Sequence, residues 1–388
     1  MGRPDAYHAT QFPKTLQAPE ILSGSRRDLW LGRISKLTLA ARWVVGSMGV
    51  LLRNLDVLLE RTNPMHAIVC HSYGDPDVMQ YVEIPQPEPA AGEVLIAAEA
   101  IGVNYVDIMR RSGKHPAPPP TPFTPGIEVC GRVAAVGEGV SRFRVGERVI
   151  GRCVTHGTYA EYVCVEERFT VVCLEVISAE AGAALFVTGQ TAYHALVTMG
   201  QVTPGESVLI TAAAGGVGLC AVQIAKNLGT NPIAVAGSPE KCELARSFGA
   251  SVAINYSEPD WPERVQEATG GAGASLIIES VGGEIAKGCV RCWSGGGRMV
   301  IFGKASGEPA MICGDDLLFG NRSVHGLVVG MVIEDETLMR AAMGQLNKWV
   351  ANGDLRLHVD KVYDLRDAAQ AHRDLVSRKT TGKLVLKP

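Results

Sequence analysis

The sequence is short of aromatic side chains, 6% of 388 residues, and has no excess of either charge, with 37 Lys and Arg against 40 Asp and Glu. The net charge of -3 offers no overall basic surface for a phosphate backbone, so a dedicated nucleic-acid partner is disfavoured. A membrane-spanning run is also missing. The apolar stretch Trp43 to Leu52, between Arg42 and Arg53, falls well short of the roughly 20 residues a spanning helix needs. Nor is there a dense cysteine framework: ten cysteines are scattered from Cys70 to Cys313 and read as reduced thiols of an intracellular protein. Glycine is plentiful, at 44 residues, in an otherwise ordinary globular composition. The length predicts two domains plus an extra piece.

That extra piece is N-terminal. Residues 1–61 hold nine Lys and Arg against five Asp and Glu, leaving 28 against 35 for the rest. Arg26, Arg27, Arg33, Lys36, Arg42 and Arg53 stand among Ser, Leu and Val, which suits an amphipathic basic helix. Three readings of this basic extension, residues 1–64, compete: a tail outside the catalytic fold, an organelle presequence, and a helix touching a membrane surface through residues 26–53. The first leaves the protein cytoplasmic; the second sends it to mitochondria.

From Met65 the pattern becomes short alternating runs broken by Gly and Pro: Ala67 to Cys70, Val94 to Ala98, Val133 to Val136, Arg148 to Ile150 and Tyr159 to Val165. Pro116 to Gly126, with six prolines, predicts a stiff exposed loop. From Ser207 the rhythm changes to strand, helix, strand. Strands are expected at Val208 to Thr211, Ile233 to Ala236, Val252 to Ile254, Leu276 to Glu279, Met299 to Phe302 and Val324 to Val329. Helices are expected at Val217 to Leu228, Pro239 to Phe248, around Pro262 to Ala268 and around Ile285 to Trp293. Six parallel strands with right-handed crossovers make a doubly wound α/β sheet. The tail returns to a helix at Glu336 to Ala351, a strand, a helix at Arg366 to Arg378 and a closing strand at Lys383 to Leu386.

Thr211-Ala-Ala-Ala-Gly-Gly-Val-Gly218 follows a strand and opens a helix, the setting of a dinucleotide-binding turn in which Ala213 replaces the first glycine. Ala214, Gly215, Gly216, Val217 and Gly218 are the residues placed against a pyrophosphate, whose charge the helix N-terminus attracts. At the end of the second strand, Ala236-Gly237-Ser238-Pro239-Glu240-Lys241 has no carboxylate at Ala236 or Gly237 to repel a 2′-phosphate. Ser238 as donor and Lys241 as charge favour NADPH. Glu240 is read as pointing to solvent. Glu279-Ser-Val-Gly-Gly283 and Phe302-Gly303 follow the fourth and fifth strands at the carboxyl edge, so Val281, Gly282, Phe302 and Gly303 are assigned to the cofactor as well.

Gly102-Val-Asn-Tyr-Val-Asp107, Pro125-Gly-Ile-Glu128, Val145-Gly-Glu-Arg-Val149, Tyr159-Ala-Glu-Tyr162, Thr191-Ala-Tyr193, the glycine loop, Ile254-Asn-Tyr256 and Gly382-Lys-Leu-Val-Leu386 occur in order over residues 65–388. Together they resemble the medium-chain dehydrogenase/reductase superfamily, in its zinc-independent quinone oxidoreductase (zeta-crystallin-like) branch. The resemblance implies a GroES-like catalytic domain around a Rossmann NADP-binding domain. The expected division is 65–187 for the first catalytic part, 188–326 for the Rossmann domain and 327–388 for the second catalytic part. It implies Asn104 and Thr188 at the nicotinamide and substrate, Tyr256 by the adenine or its phosphate, and a homodimer or homotetramer joined through the edge strand around Val324 to Val329.

Zinc-dependent relatives place a Cys and a His where this chain has Val103-Asn104-Tyr105 and Ile127, and isoleucine cannot ligate zinc. Cys289-Val-Arg-Cys292 has no partner pair and reads as buried thiols. No zinc is expected. Without a Lewis acid, alcohol oxidation loses plausibility, and hydride addition to a quinone or enone fits better. Related reductases often carry a Tyr where Arg111-Ser-Gly-Lys-His115 presents His115, which becomes the candidate proton donor, with water as the alternative. Two rivals remain: an enoyl-thioester reductase with Arg110, Arg111 and Lys114 at a basic mouth, and an NADPH-binding membrane-surface or RNA-associated protein with little turnover.

Overall fold

The computed structural model describes residues 63–153 and 155–388, so the expectations for the basic extension and its 26–53 helix lie outside the described residues, apart from Asn63 and Pro64. Two sheets carry the fold. Strands β1 (Pro64–Cys70) and β2 (Met79–Pro85) form an antiparallel hairpin. Strands β3 (Glu93–Val103), β4 (Glu128–Val136), β5 (Arg148–Arg152), β6 (Tyr162–Glu166) and β7 (Thr170–Val172) make an antiparallel sheet. The next six strands, β8 (Ser207–Ile210), β9 (Asn231–Ala236), β10 (Val252–Asn255), β11 (Ala274–Glu279), β12 (Trp293–Ile301) and β13 (Ser323–Gly326), are all parallel, in the order β10-β9-β8-β11-β12-β13.

The C-terminal strands β14 (Val359–Asp364) and β15 (Lys383–Lys387) return to the first sheet, where β15 lies antiparallel beside β3. Residues nearly 300 positions apart therefore share one sheet. The alternation inherent in a strand puts successive side chains on opposite faces. In the parallel sheet Val208, Ile210, Leu276 and Ile278 join one core, while Leu209, Ile277, Ile233 and Val235 join another with Trp261 and Trp293. Both faces are covered by helices, as a parallel sheet requires.

Several boundaries differ from expectation. The helix placed at Ile285 to Trp293 is Gly283–Arg291, and Trp293 opens β12. Its register against Ala274 and the Ala274 N–H bond to Cys292 O capture it for the sheet. The strand placed at Val324 to Val329 stops at Gly326, and Val329–Val332 is a helical turn. Leu327 N still bonds to Ile301 O, the last residue of β12, and beyond it the ladder has no further partner. Between the two sheets, a helix at Phe186–Tyr193 runs on into a π-helical turn, His194–Met199, that the sequence pattern does not announce.

Candidate functional site

The glycine loop joins β8 to the helix Gly216–Asn227. Ala212 takes a left-handed conformation, φ +46°, while the fully buried Ala213 donates to Val235 O, so alanine is tolerated at the replaced glycine position. Gly218 is not replaceable in the same way. A Cβ there would collide with Ala212 O and lie 2.7 Å from Ala213 Cα, so the helix can pack on the loop only through glycine. The helix cap, Gly215, supplies no side-chain acceptor, which leaves its first turn to attract an anion. Thr188 is brought against this turn: a Cβ on Gly216 would sit 3.1 Å from Thr188 Cγ2. The Thr188 hydroxyl itself is spent on Ala184 O.

At the end of β9, Ser238 caps the next helix by accepting from Lys241 N at 3.3 Å. Its hydroxyl also holds the Glu240 carboxylate below its ordinary range, so exposed Glu240 has a local partner. Lys241 Nζ donates to Arg378 O at 2.6 Å, and burial lowers its pKa. Tyr256 faces Gly237, whose Cβ would lie 3.1 Å from the phenol oxygen. Arg378 has left-handed backbone, φ +57°, its guanidinium bonds Ala305 O at 2.8 Å, and its charge pulls down a Tyr256 pKa that burial raises. Two cations and two hydroxyls therefore gather at the end of β9, where Ala236 and Gly237 carry no carboxylate, a set suited to a phosphate monoester. Sequence reasoning missed Arg378, which comes from the far C-terminus.

At the carboxyl edge, Glu279 Oε1 accepts from Val281 N at 2.7 Å and Gly282 N at 2.9 Å. Its Oε2 is buried without a partner, and burial raises its pKa. Phe302 N bonds Glu279 O at 3.0 Å, which brings Val281, Gly282, Phe302 and Gly303 to one edge. A cavity of about 650 Å³ opens there, lined by Phe302, Gly303, Pro309, Leu327, Val328 and Met331 among others. Its walls are mostly apolar, as small-molecule pockets usually are.

At the end of β3, Asn104 caps the helix Tyr105–Arg111, with its backbone N–H on Asp107 Oδ2 at 2.8 Å. Its side-chain Nδ2 donates to Glu128 Oε1 at 2.8 Å and to Gly102 O at 3.3 Å. Its Oδ1 accepts from Lys383 Nζ at 2.6 Å, and Lys383 also pairs with Glu128. Glu128 Oε2 takes the Val187 N–H at 3.0 Å. Lys383 and Glu128 are both buried, at 4% and 0% side-chain exposure. The quoted motifs contained both residues, but only their spatial meeting gives them a role.

Ile127 is buried beside Glu128, and among the described residues no group of three His, Cys, Asp or Glu side chains could hold a metal ion. Cys289 and Cys292 are fully buried, with Cys292 Sγ on Gly288 O and Cys289 O. His115 is half-buried, its Nδ1 lies within 2.8 Å of Ala117 O in its own loop, and no described hydrogen bond joins it to Asn104, Thr188 or the glycine loop. Arg111 is buried, so it does not belong to a basic mouth. No described helix is long and apolar enough to cross a membrane.

Two family models match the chain, Alcohol dehydrogenase GroES-like domain over residues 90–175 and Zinc-binding dehydrogenase over residues 216–346. Among curated relatives, the quinone oxidoreductase of Pseudomonas aeruginosa is 36% identical over 318 residues and that of Salmonella typhimurium 38% over 323. Each match covers 82% of this chain and 98% of the relative. The solved structure of Escherichia coli quinone oxidoreductase complexed with NADPH is 34% identical, with a TM-score of 0.79 over 83% of this chain and 100% of that one.

Proposed function

Because the chain belongs to the quinone oxidoreductase branch of the medium-chain dehydrogenase/reductase superfamily, we propose that it reduces a quinone or another α,β-unsaturated carbonyl without a catalytic zinc. It is an oxidoreductase, and its cofactor is NADPH. The observation that carries the acceptor assignment is the largely apolar cavity of about 650 Å³ that includes Phe302 and Gly303, the residues the sequence places at the nicotinamide end.

Each part of the chain has a task in this reading. Residues 214–218 hold the pyrophosphate at a helix N-terminus. Ser238, Lys241, Tyr256 and Arg378 take the 2′-phosphate, where the absence of a carboxylate at Ala236 and Gly237 removes repulsion. Val281, Gly282, Phe302 and Gly303 would border the nicotinamide, with Asn104 and Thr188 completing its surroundings. Bound NADPH supplies a hydride. With Ile127 in place of a metal ligand, the acceptor needs a conjugated carbonyl that takes hydride without Lewis-acid activation. Water would supply the proton, since His115 Nδ1 is bonded within its own loop and no described hydrogen bond joins His115 to Asn104 or Thr188.

The reading extends to assembly and location. β13 leaves an open sheet edge flanked by exposed Met311, Leu318 and Phe319, which supports a homodimer or homotetramer. A cytoplasmic enzyme is proposed, with mitochondrial import through residues 1–64 as the alternative.

The test is NADPH oxidation by the full-length protein at neutral pH with 1,4-benzoquinone, 9,10-phenanthrenequinone, a simple enone and crotonyl-CoA, with NADH alongside. Turnover of a quinone or enone with NADPH preferred is expected. Preference for the thioester replaces the acceptor with an enoyl-thioester, and NADPH binding with no turnover overturns the catalytic proposal.

A further inference from the structure

We propose that Lys383 is a positioning residue for the reduction: with Glu128 as its counterion it locks the Asn104 carboxamide in one orientation and ties it to the glycine loop. The inference rests on the reductase reading above.

The lock follows from donors and acceptors. Asn104 Nδ2 has two hydrogens, which face Glu128 Oε1 and Gly102 O, and Oδ1 faces the Lys383 ammonium. Flipping the amide would set an NH2 against an ammonium and an oxygen against a carboxylate. In a buried site both contacts are repulsive, so one orientation survives. In that orientation Asn104 has no hydrogen left for a developing oxyanion. It can only accept, through the second lone pair of Oδ1, from a hydroxyl of the cofactor ribose or the substrate. Lys383 has three N–H donors, of which two are committed.

The tie to the loop runs through the backbone. Gly382 N donates to Ala214 O at 2.7 Å and Gly382 bridges Gly215. Gly382 has φ +44°, and a Cβ there would collide with His358 O, so the approach needs glycine. Lys383 borders a space of about 10 Å³ with Gly216, Cys220 and His358, between the helix N-terminus and β14. Stability does not explain the pair. A buried ion pair is often no better than apolar residues of like size, because removing both charges from water offsets their attraction.

The test compares full-length wild type with the double variant K383M/E128Q, with Asn104→Ala, and with Lys387→Met, which breaks a more exposed ion pair to Glu180. The double variant leaves no unpaired buried charge. The readouts are kcat, KM, the NADPH dissociation constant by fluorescence, the melting temperature, and the primary isotope effect with NADPH deuterated at the transferred hydrogen. The double variant is expected to melt cooperatively and bind NADPH nearly as wild type, with kcat down roughly 10- to 100-fold and an enlarged isotope effect. Asn104→Ala should show the same isotope effect, and adding it to the double variant should cost little more, because both act on one group. Lys387→Met should match wild type.

A double variant with wild-type kcat and isotope effect overturns the positioning role and leaves a self-neutralising pair. If the double variant does not melt cooperatively, Asn104→Ala decides on an intact ion pair, and wild-type behaviour there overturns the inference. Wild-type turnover is read first. Its absence overturns the reductase reading and this inference with it, whereas turnover with an unaffected double variant overturns the inference alone.

Discussion

His372 Nε2 lies 2.9 Å from the Tyr159 hydroxyl, which in turn donates to Asp107 Oδ2 at 3.1 Å. All three residues are fully buried, and the chain links the C-terminal helix Ala368–Val376 to the helix that Asn104 caps. Burial pushes the Asp107 carboxyl up to about 7 and the His372 imidazole, also facing Arg111, down to about 3. A neutral His372 with hydrogen on Nε2 completes the chain, leaving its Nδ1 and Asp107 Oδ1 without partners.

The two groups act on stability in opposite directions. Folded Asp107 keeps a proton that the unfolded chain releases near 3.8, so its contribution falls as pH rises from about 4 to about 7. The unfolded chain protonates His372 near 6.5 while the folded protein refuses until about 3, so that contribution falls as pH drops through this window. Between about 4 and 6.5 the two slopes oppose one another. Asp107→Asn removes one of them, and its stability relative to wild type should decline on acidification by up to about 1.4 kcal/mol per pH unit. Urea unfolding from pH 4 to 7 checks this; parallel profiles for the two proteins contradict it.

Cofactor preference should reside in the cations at β9. Lys241→Ala and Arg378→Ala should each weaken NADPH binding roughly 10- to 100-fold, the value of about 1.5–3 kcal/mol for a charged hydrogen bond, and leave NADH nearly unchanged. Dissociation constants for both nucleotides measure it, and equal losses for the two would remove the 2′-phosphate assignment.

Gly218→Ala forces a Cβ into the backbone of Ala212 and Ala213, which has no rotamer to yield. The expected cost is about 1–3 kcal/mol of stability, together with weakened NADPH binding. Thermal melts and NADPH titration of the variant give the result, and a wild-type melt would mean the loop relaxes freely.

Phe319 is 82% exposed near the open edge of β13. If that face joins copies of the chain, Phe319→Glu should lower the mass found by light scattering after gel filtration. An unchanged oligomer puts the interface elsewhere, and a monomeric wild type removes it.

Much of the fold was legible because glycine and the two hydrophobic periods mark it: Gly229 and Gly249 close helices with positive φ, and the alternation from Ser207 yields six parallel strands. The end of β13 was not, because Val328 and Val329 look like strand residues and only the length of β12 stops the ladder. The glycine loop between a strand and a helix could be read from adjacent residues. Lys383 meeting Asn104, and Arg378 meeting Tyr256, depend on a C-terminus that returns across both sheets, and no local pattern encodes that return.

The most direct test of the central claim follows the hydride itself. The full-length protein is incubated with a cyclic enone and NADPH carrying deuterium at the transferred position, and the product is read by NMR. The account predicts one deuterium at the β-carbon and solvent hydrogen at the α-carbon. Product without deuterium at the β-carbon, or NADPH bound with none formed from the enone or from any quinone, would contradict it.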